Sequence, residues 1–414
     1  MSLDFKNELA ERLIRYASID SQSDEESATV PSSKIQYDML YLLEKELKEL
    51  NLIDVKITDY GTLIATIPGK IKGPAIGFLA HVDTAPQFNA SNVKPRIIKN
   101  YDGSDIKFPD DVNLILSPKE FSYLSEKIGH DIITASGKTL LGADDKAGIA
   151  IIMTAVNFLI SKQNENHSEI RIAFTTDEEI GRGVHKNLPD DLNVKFAYTF
   201  DGGKVGEIDN ETFSADSAEV LIKGVSIHPG DAKNEMVNAI HLASEIINNL
   251  PLKTMTPEVT EKREGFIHAT DMIGNSSEMI IKFILRDFEL KGLDEKKEIL
   301  EELCKKIQVT EPRAKINIFF KRQYRNMRYW LDENRMPLEI AEKALHNKCI
   351  QPIKKPIRGG TDGSLLTEKG VPTPNIFTGM QNVHGPLEWV STSDMALATE
   401  VMLEIIKLNS NLKN

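Results

Sequence analysis

Hydrophobic residues in the first 200 positions alternate between helical spacing and the spacing of strands. Residues 5–17 and 34–50 carry apolar side chains every three or four positions, which predicts two amphipathic helices. An apolar stretch at 146–161 predicts a third helix. Short apolar runs predict strands at 55–58, 63–67, 75–82, 170–175 and 196–200. This alternation predicts an α/β domain with a mostly parallel sheet flanked by helices.

The pattern changes after residue 211. The spacing then predicts, in order, a strand at 218–222, a helix at 234–250, strands at 266–272 and 278–287, a helix at 294–307 and a strand at 315–320. This β-α-β-β-α-β order is typical of a ferredoxin-like α+β unit, whose helices cover one face of an antiparallel sheet. The α/β pattern then returns, with helices at 337–347 and 393–408. We therefore predict a first domain made of 1–211 and 322–414, and an inserted domain at 212–321.

Composition and charge limit the classes of partner. The 414 residues include 62 acidic and 50 basic side chains, a net charge of −12 that disfavours non-specific nucleic-acid binding. Two cysteines, Cys304 and Cys349, cannot form a disulfide framework and favour a reducing compartment. The first residues are charged and helical in pattern, unlike a signal peptide, and the longest apolar region, 147–160, is too short to span a bilayer. We expect a soluble, cytoplasmic protein with no nucleic-acid or membrane partner.

Histidine and acidic residues follow several predicted strands, where an open α/β sheet places its binding crevice. His81 and Asp83 end the third strand, and strand alternation directs both side chains to one face. Two interpretations remain open. The pair is either a polar strand end in solvent, or an imidazole metal ligand oriented by a neighbouring carboxylate.

Two acidic runs are open to the same question. Asp144 and Asp145 directly precede a predicted helix, so they either cap its N-terminus or include a carboxylate that bridges two cations. Asp177, Glu178 and Glu179 follow a buried strand. Because adjacent like charges cost free energy unless they are solvated or shared with cations, this run is either a solvated turn or part of a metal site.

Two further residues complete the set. Asp201 ends a strand before two glycines, and His384 lies in a glycine-flanked loop. Imidazole and carboxylate groups without thiolates suit zinc, cobalt or manganese in a hydrolytic site.

A charge count favours two ions. Two divalent cations carry four positive charges, and the carboxylates of Asp144, Glu179 and Asp201 with one bridging hydroxide carry four negative charges. The two histidines then supply one imidazole to each ion, and Glu178 is left free as a base.

Together these motifs resemble the M20 metallopeptidase family, and within it the tripeptide aminopeptidases. In chain order the motifs are HVDTAP, LLGADDKAG, TTDEEIGRG, FDGG, SIHPG, ILRDF, IRGGTDGS and FTGMQNVHG. The resemblance extends over essentially the whole chain. It implies a dinuclear zinc aminopeptidase that hydrolyses the N-terminal peptide bond of tripeptides, with Co²⁺ or Mn²⁺ able to replace Zn²⁺.

The resemblance also implies a role for each residue. The implied metal ligands are His81, Asp144 as the bridge, Glu179, Asp201 and His384. Asp83 is implied as the orienting catalytic residue, and Glu178 as the general base that activates a metal-bridging water. The family further implies a cis peptide bond between Asp144 and Asp145.

For the inserted domain, the resemblance implies a lid that carries a substrate-binding histidine and forms a homodimer. The histidine is His228, before a Pro-Gly turn. A second implied substrate-binding residue is Arg358, in the IRGGTDGS motif of the returning first domain, whose forked guanidinium suits a substrate carboxylate. Without the resemblance, both would be interpreted as surface side chains. Alternative functions are a dipeptidase or an N-acyl amino acid deacylase on the same scaffold. A non-catalytic metal-dependent binding protein is a further alternative, against which the presence of Glu178 and Asp83 argues.

Overall fold

The structure of the chain is a computed structural model that describes residues 4–162 and 165–412. Its strands are β1 Ile53–Ile57, β2 Leu63–Ile67, β3 Ile76–His81, β4 Arg96–Ile98, β5 Ile106–Lys107, β6 Ile115–Leu116, β7 Ile132–Thr134, β8 Ile170–Thr175, β9 Phe196–Gly202, β10 Glu207–Thr212, β11 Ser214–Lys223, β12 Phe266–Gly274, β13 Glu278–Asp287, β14 Lys315–Tyr324, β15 Ile353–Ile357, β16 Asn375–Phe377 and β17 Trp389–Ser391. Its α-helices are α1 Lys6–Ala17, α2 Gln36–Glu49, α3 Ser122–Ser125, α4 Ala143–Ser161, α5 Leu188–Leu192, α6 Ala239–Asn248, α7 Leu290–Thr310, α8 Arg328–Leu331, α9 Met336–Asn347, α10 Asp362–Glu368 and α11 Thr392–Ser410.

The chain forms two compact units. Unit 1 comprises Met1–Asn210, Tyr329–Lys355 and Thr361–Asn414, and unit 2 comprises Glu211–Arg328 and Pro356–Gly360. The inserted domain predicted from the sequence, 212–321, lacks the short returning segment Pro356–Gly360. The roles of lid and dimerisation domain stay predictions.

Unit 1 is built on an eight-stranded sheet with the order β1-β2-β8-β3-β9-β16-β10-β15. The central strands β8, β3, β9 and β16 run parallel, whereas β1 and β2 on one side and β10 on the other pair antiparallel with their neighbours. The predicted α/β fold class is confirmed. The carboxyl ends of the parallel strands lie along one edge of the sheet, and the site described below is built there.

Burial explains why these segments form the centre of unit 1. β2 and β3 are buried along their whole length, as expected for strands covered on both faces. Helix α4 packs against β3 and β9, beside α1 and α11. A separate apolar cluster joins Leu79 of β3 to Leu188 of α5 and Leu366 of α10.

Four short strands between β3 and α4, and β17 near the end of the chain, are not predicted by the sequence. β4, β7 and β17 form a three-stranded sheet, and β5 and β6 form a two-stranded one. Strands of two or three residues are too short to show an alternating pattern, so the sequence does not predict them. Their side chains pack around Trp389, which is fully buried.

Unit 2 has the predicted β-α-β-β-α-β element order. Its antiparallel sheet has the strand order β12-β13-β11-β14. Alternate residues of β11 and β13 are buried in one core with α6 and α7. The helix predicted at 234–250 is wrong at its start, because α6 begins at Ala239. The side chain of Asn238 accepts a hydrogen bond from the Ile240 N–H and caps the helix there.

Among residues 4–162 and 165–412, no helix has both the length and the apolar character needed to cross a membrane.

Candidate metal centre

Five side chains meet at the carboxyl edge of the unit 1 sheet. His81 is the last residue of β3, and Asp201 lies near the end of β9. Asp144 lies in the first turn of α4, Glu179 in a 3₁₀ turn after β8, and His384 in the loop between β16 and β17. The structure thus brings together residues that are up to 303 positions apart, from His81 to His384.

Asp144 lies between the two imidazoles. Its Oδ1 is 3.0 Å from Nε2 of His81, and its Oδ2 is 3.1 Å from Nε2 of His384. Glu179 Oε2 also lies 3.1 Å from the His384 Nε2, and Asp201 Oδ1 lies 3.8 Å from the His81 Nε2. Two groups of potential metal ligands therefore share Asp144, one with His81 and Asp201 and the other with Glu179 and His384.

The electrostatics of this cluster reflect an excess of buried acids. Burial raises the pKa of Glu179 to about 7 and raises the pKa of Asp201 well above its usual range. Burial opposes the ionised form of Asp144 as well, but the two imidazoles outweigh it and lower the pKa of this carboxyl. For His384, the hydrogen bonds to Asp144 and Glu179 outweigh burial and raise the imidazole pKa to about 10. Bound cations would stabilise the same carboxylates in their ionised form.

Two further observations fit a metal site. Glu179 Oε1 is buried and has no hydrogen-bond partner among the described residues. His81 Nδ1 is 3.0 Å from the backbone oxygen of Asp83, a contact that places the ring proton on Nδ1 and leaves Nε2 as an electron-pair donor. The nitrogen and oxygen ligands of this cluster are those that zinc accepts in hydrolytic sites.

Besides orienting His81 through its backbone oxygen, Asp83 binds the turn that carries the two glutamates. It is fully buried, and its carboxylate accepts hydrogen bonds from the backbone N–H groups of Glu178 at 3.0 Å and Glu179 at 3.2 Å. The side chain of Asp83 therefore fixes the turn that carries both glutamates, while its backbone oxygen orients His81.

Glu178 faces the cluster without joining either ligand group. Its Oε1 accepts a hydrogen bond of 3.2 Å from the Asp362 N–H, and its Oε2 lies 3.9 Å from Nε2 of His81. Burial raises the pKa of Glu178 well above its usual range. A buried carboxylate anchored through one oxygen leaves the other oxygen available for proton transfer.

Asp145 lies behind the cluster. The peptide bond between Asp144 and Asp145 is cis, as the resemblance implies. The Asp145 carboxylate is fully buried and accepts hydrogen bonds of 3.2 Å from the His81 N–H and from the Gly148 N–H. Of the two adjacent aspartates, the first therefore faces the imidazoles and the second links β3 to α4.

The sequence does not predict a separate role for Asp177. The interpretation of the 177–179 run as a solvated turn is wrong for this residue. Asp177 is fully buried with a left-handed φ of 61°. Its carboxylate accepts hydrogen bonds from the Ser32 N–H at 2.7 Å, from the Ser32 hydroxyl at 2.5 Å and from the Gln36 side chain at 2.6 Å. The signal in the sequence was the run of three adjacent acids, which is costly to bury. In the structure, hydrogen-bond donors from α2 and from the segment before it compensate the buried charge of Asp177.

His228 and Arg358 both belong to unit 2. His228 follows β11, its side chain is 79% exposed, and its Nδ1 accepts a 3.2 Å hydrogen bond from the Gly230 N–H. Arg358 donates to the backbone oxygens of Lys262 and Glu264 at 3.0 and 2.7 Å, and to the Thr260 hydroxyl at 2.9 Å. The structure therefore places Arg358 within a loop of unit 2 and His228 at an exposed turn.

Comparison with known proteins agrees with this geometry. Residues 140–408 match the model of the family described as peptidase family M20/M25/M40. The chain belongs to this family. A protein named peptidase T from Bacillus licheniformis and another from a Geobacillus strain are each 45% identical to it over 405 residues, which is 97% of this chain and 98% of each relative. The chain is thus an M20 peptidase and a hydrolase.

A solved structure extends the agreement in fold to the whole length of this M20 peptidase. The crystal structure of the aminopeptidase PepT from Bacillus cereus has a TM-score of 0.74 at 21% identity and covers 98% of this chain and 99% of its own. The match therefore includes the segments of both unit 1 and unit 2.

Proposed function

We propose that this M20 peptidase is an aminopeptidase that releases the N-terminal residue of tripeptides with the help of two zinc ions. The proposed ligands are His81, Asp144, Glu179, Asp201 and His384. The observation that carries the proposal is the position of Asp144, whose two oxygens each face a different imidazole at 3.0 and 3.1 Å. The preference for tripeptides is supported by whole-length similarity to relatives named peptidase T.

The residues around the cluster prepare it for this chemistry. When bound, a pair of divalent cations supplies Lewis acidity to the scissile carbonyl and lowers the pKa of water. His81 is held in the required tautomer by the backbone oxygen of Asp83, and the Asp83 carboxylate holds the backbone of Glu178 and Glu179. The ligands and the base are thus positioned before substrate binds.

Glu178 is the proposed general base. Oε2 would accept a proton from the attacking water and then deliver it to the leaving amide nitrogen, while the Asp362 N–H holds Oε1. Because the Asp362 N–H engages only Oε1, Oε2 faces the cluster and can accept and then release the proton.

His228 and Arg358 are proposed to bind substrate. Because the His228 Nδ1 accepts from the Gly230 N–H, a neutral ring carries its proton on Nε2, and this N–H is the group that would donate to the developing oxyanion. Arg358 is the proposed partner of the substrate carboxylate, through donors beyond those that bind the 260–264 loop.

We also propose a homodimer through unit 2. β12 and β14 are the edge strands of its sheet and are nine and ten residues long. Ile273 on β12 and Phe319 on β14 are exposed apolar residues. Long edge strands with such residues favour pairing with another chain. Sedimentation analysis should give the mass of two chains, and a monomer at micromolar concentration would contradict the proposal.

The substrate test uses the full chain loaded with Zn²⁺, Co²⁺ or Mn²⁺. A tripeptide, the matching dipeptide and tetrapeptide, and an N-acetyl amino acid are compared for release of free amino acid. We expect the tripeptide to be cleaved fastest and chelator to abolish the release. Faster cleavage of the dipeptide or of the N-acetyl amino acid would instead assign the dipeptidase or deacylase activity, and no release at all would indicate a binding protein.

A further inference from the structure

Glu388 is a buried carboxylate outside both ligand groups. It lies directly before β17 and is 1% exposed. Its Oε2 accepts hydrogen bonds from the Leu141 N–H at 2.7 Å and the Gly142 N–H at 2.8 Å, and its Oε1 accepts from the Asp144 N–H at 3.0 Å. One side chain therefore binds three backbone donors of the segment that ends in Asp144.

These three donors need an acceptor from elsewhere in the chain. Asp144 lies in the first turn of α4 and Leu141 and Gly142 directly precede the helix, where backbone N–H groups have no partner within it. Gly142 has a left-handed φ of 78°, and a Cβ at this position would lie 3.1 Å from a methyl group of Thr84. The backbone thus turns sharply here and directs its N–H groups to one point. A carboxylate offers two oxygens with several acceptor positions, which suits three donors better than a neutral amide does.

The same loop that carries Glu388 also carries His384. The loop is closed by Gln381 and Trp389, which exchange two backbone hydrogen bonds of 2.9 and 3.1 Å. Within it, the Glu388 N–H donates to the Gly385 oxygen at 3.2 Å. His384, with a left-handed φ of 63°, lies at the tip and faces Asp144. Glu388 therefore links the backbone of Asp144 to the loop of the imidazole that Asp144 faces.

From this geometry we infer that Glu388 is a positioning residue for the metal centre, which sets Asp144 between the two imidazoles by holding the 141–144 backbone. The inference rests on the proposed function, because it assigns Asp144 as a ligand. It predicts that Glu388 controls cation affinity and ligand geometry without touching an ion. Loss of such an outer partner typically costs about 10- to 100-fold in metal affinity.

The test compares Glu388→Gln and Glu388→Asp with the wild-type chain. Glutamine keeps the size of the side chain, but its NH₂ group cannot accept, so at least one of the three N–H groups loses its partner. Aspartate keeps the charge but is shorter. Apo protein is titrated with Zn²⁺ by calorimetry, and the visible absorption spectrum of the Co²⁺-loaded protein reports the ligand geometry. Circular dichroism confirms that each variant is folded.

Asp216→Asn is the matched control. Asp216 is a buried carboxylate of unit 2 that pairs with Arg325 and Lys297 at 2.7 Å each. Its loss should lower thermal stability and leave Zn²⁺ affinity and the Co²⁺ spectrum unchanged.

We expect Glu388→Gln to weaken Zn²⁺ binding by about 10-fold or more and to change the Co²⁺ spectrum, with partial recovery in Glu388→Asp. A folded Glu388→Gln protein with wild-type affinity and spectrum would overturn the inference. Equal losses in Asp216→Asn would also overturn it, because the effect would then be one of general stability. Should Glu388→Gln not fold, the same criteria apply to Glu388→Asp. Failure of the wild-type chain to bind two ions would instead count against the proposed function.

Discussion

The candidate metal centre of unit 1 and His228 of unit 2 differ in how their side chains are held. In unit 1, His81 is oriented by the backbone of Asp83, and Glu178 is held through its N–H and one carboxylate oxygen. In unit 2, His228 is largely exposed, and Nδ1 of its ring accepts from an N–H within its own turn. The side chains of the unit 1 cluster are fixed before any ligand binds, whereas the His228 side chain retains rotational freedom.

This difference indicates which substitutions should change catalysis through small displacements of a held side chain, and which should remove a group without affecting the fold. A preorganised carboxylate or imidazole loses its function with small displacements, because catalysis depends on placement to within fractions of an ångström. An exposed histidine can be removed with little effect on folding, so its loss should report only on what it does to the substrate.

The largest effect is expected at Glu178. Glu178→Gln removes the proposed proton acceptor and keeps the shape of the side chain, so kcat should fall by at least about 10²-fold with both metals bound. Steady-state kinetics and metal analysis of the same preparation check this. Glu179→Gln is the matched control and should instead weaken metal binding. Near-normal turnover in Glu178→Gln would mean that another group is the base.

The next effect is expected at His228. His228→Ala should reduce kcat by about 10²-fold, because it removes a proposed donor to the oxyanion, while KM, metal content and thermal stability change little. His241→Ala, an exposed histidine on α6 of the same unit, is the control and should retain full activity. Loss of zinc in His228→Ala would place this residue in the metal centre and remove the contrast between the two regions.

A smaller effect, mainly on stability, is expected at Asp177. Asp177→Asn leaves some of the donors of Ser32 and Gln36 without an acceptor, which should cost about 1–3 kcal/mol in the free energy of unfolding. Urea denaturation followed by circular dichroism measures this. Because Asp177 directly precedes Glu178, turnover should fall as well, with zinc stoichiometry unchanged. A variant as stable as the wild type would show that the buried carboxylate is not needed to hold the turn.

The smallest effect on stability is expected at Arg358. Arg358→Lys cannot reproduce the forked contacts to two backbone oxygens and a hydroxyl, so the free energy of unfolding should fall by about 1 kcal/mol. If Arg358 also binds the substrate carboxylate, KM for tripeptides should rise, and KM for a tripeptide amide should not. Equal changes in both KM values would restrict Arg358 to a structural role.

The sequence predicted the fold well where periodicity is strong. The central parallel strands and the element order of unit 2 follow from long apolar patterns such as those of β3 and β13. The strands between β3 and α4 did not, because two- or three-residue strands have no readable period. The start of α6 was predicted too early, because the apolar residue at position 236 fits the helical spacing. The helix begins only after Asn238, whose side chain caps it.

For the site, the sequence predicted which side chains lie together at the sheet edge but not what holds them. Acids and histidines at strand ends pointed to His81, Asp144 and His384, which the structure brings together. Asp177 and Glu388 could not be assigned in this way, because their roles depend on backbone N–H groups more than 140 positions away in the chain. Contacts over such separations follow from the fold and have no local pattern.

The most direct test of the account is the number of zinc ions that the cluster binds. Apo protein prepared with chelator is titrated with Zn²⁺, and the bound metal is measured by mass spectrometry for the wild type and Asp144→Asn. We expect two ions per wild-type chain and fewer in Asp144→Asn, because the shared carboxylate belongs to both ligand groups. One ion at saturation in the wild type, or two ions bound with unchanged affinity in Asp144→Asn, would contradict a centre built on Asp144.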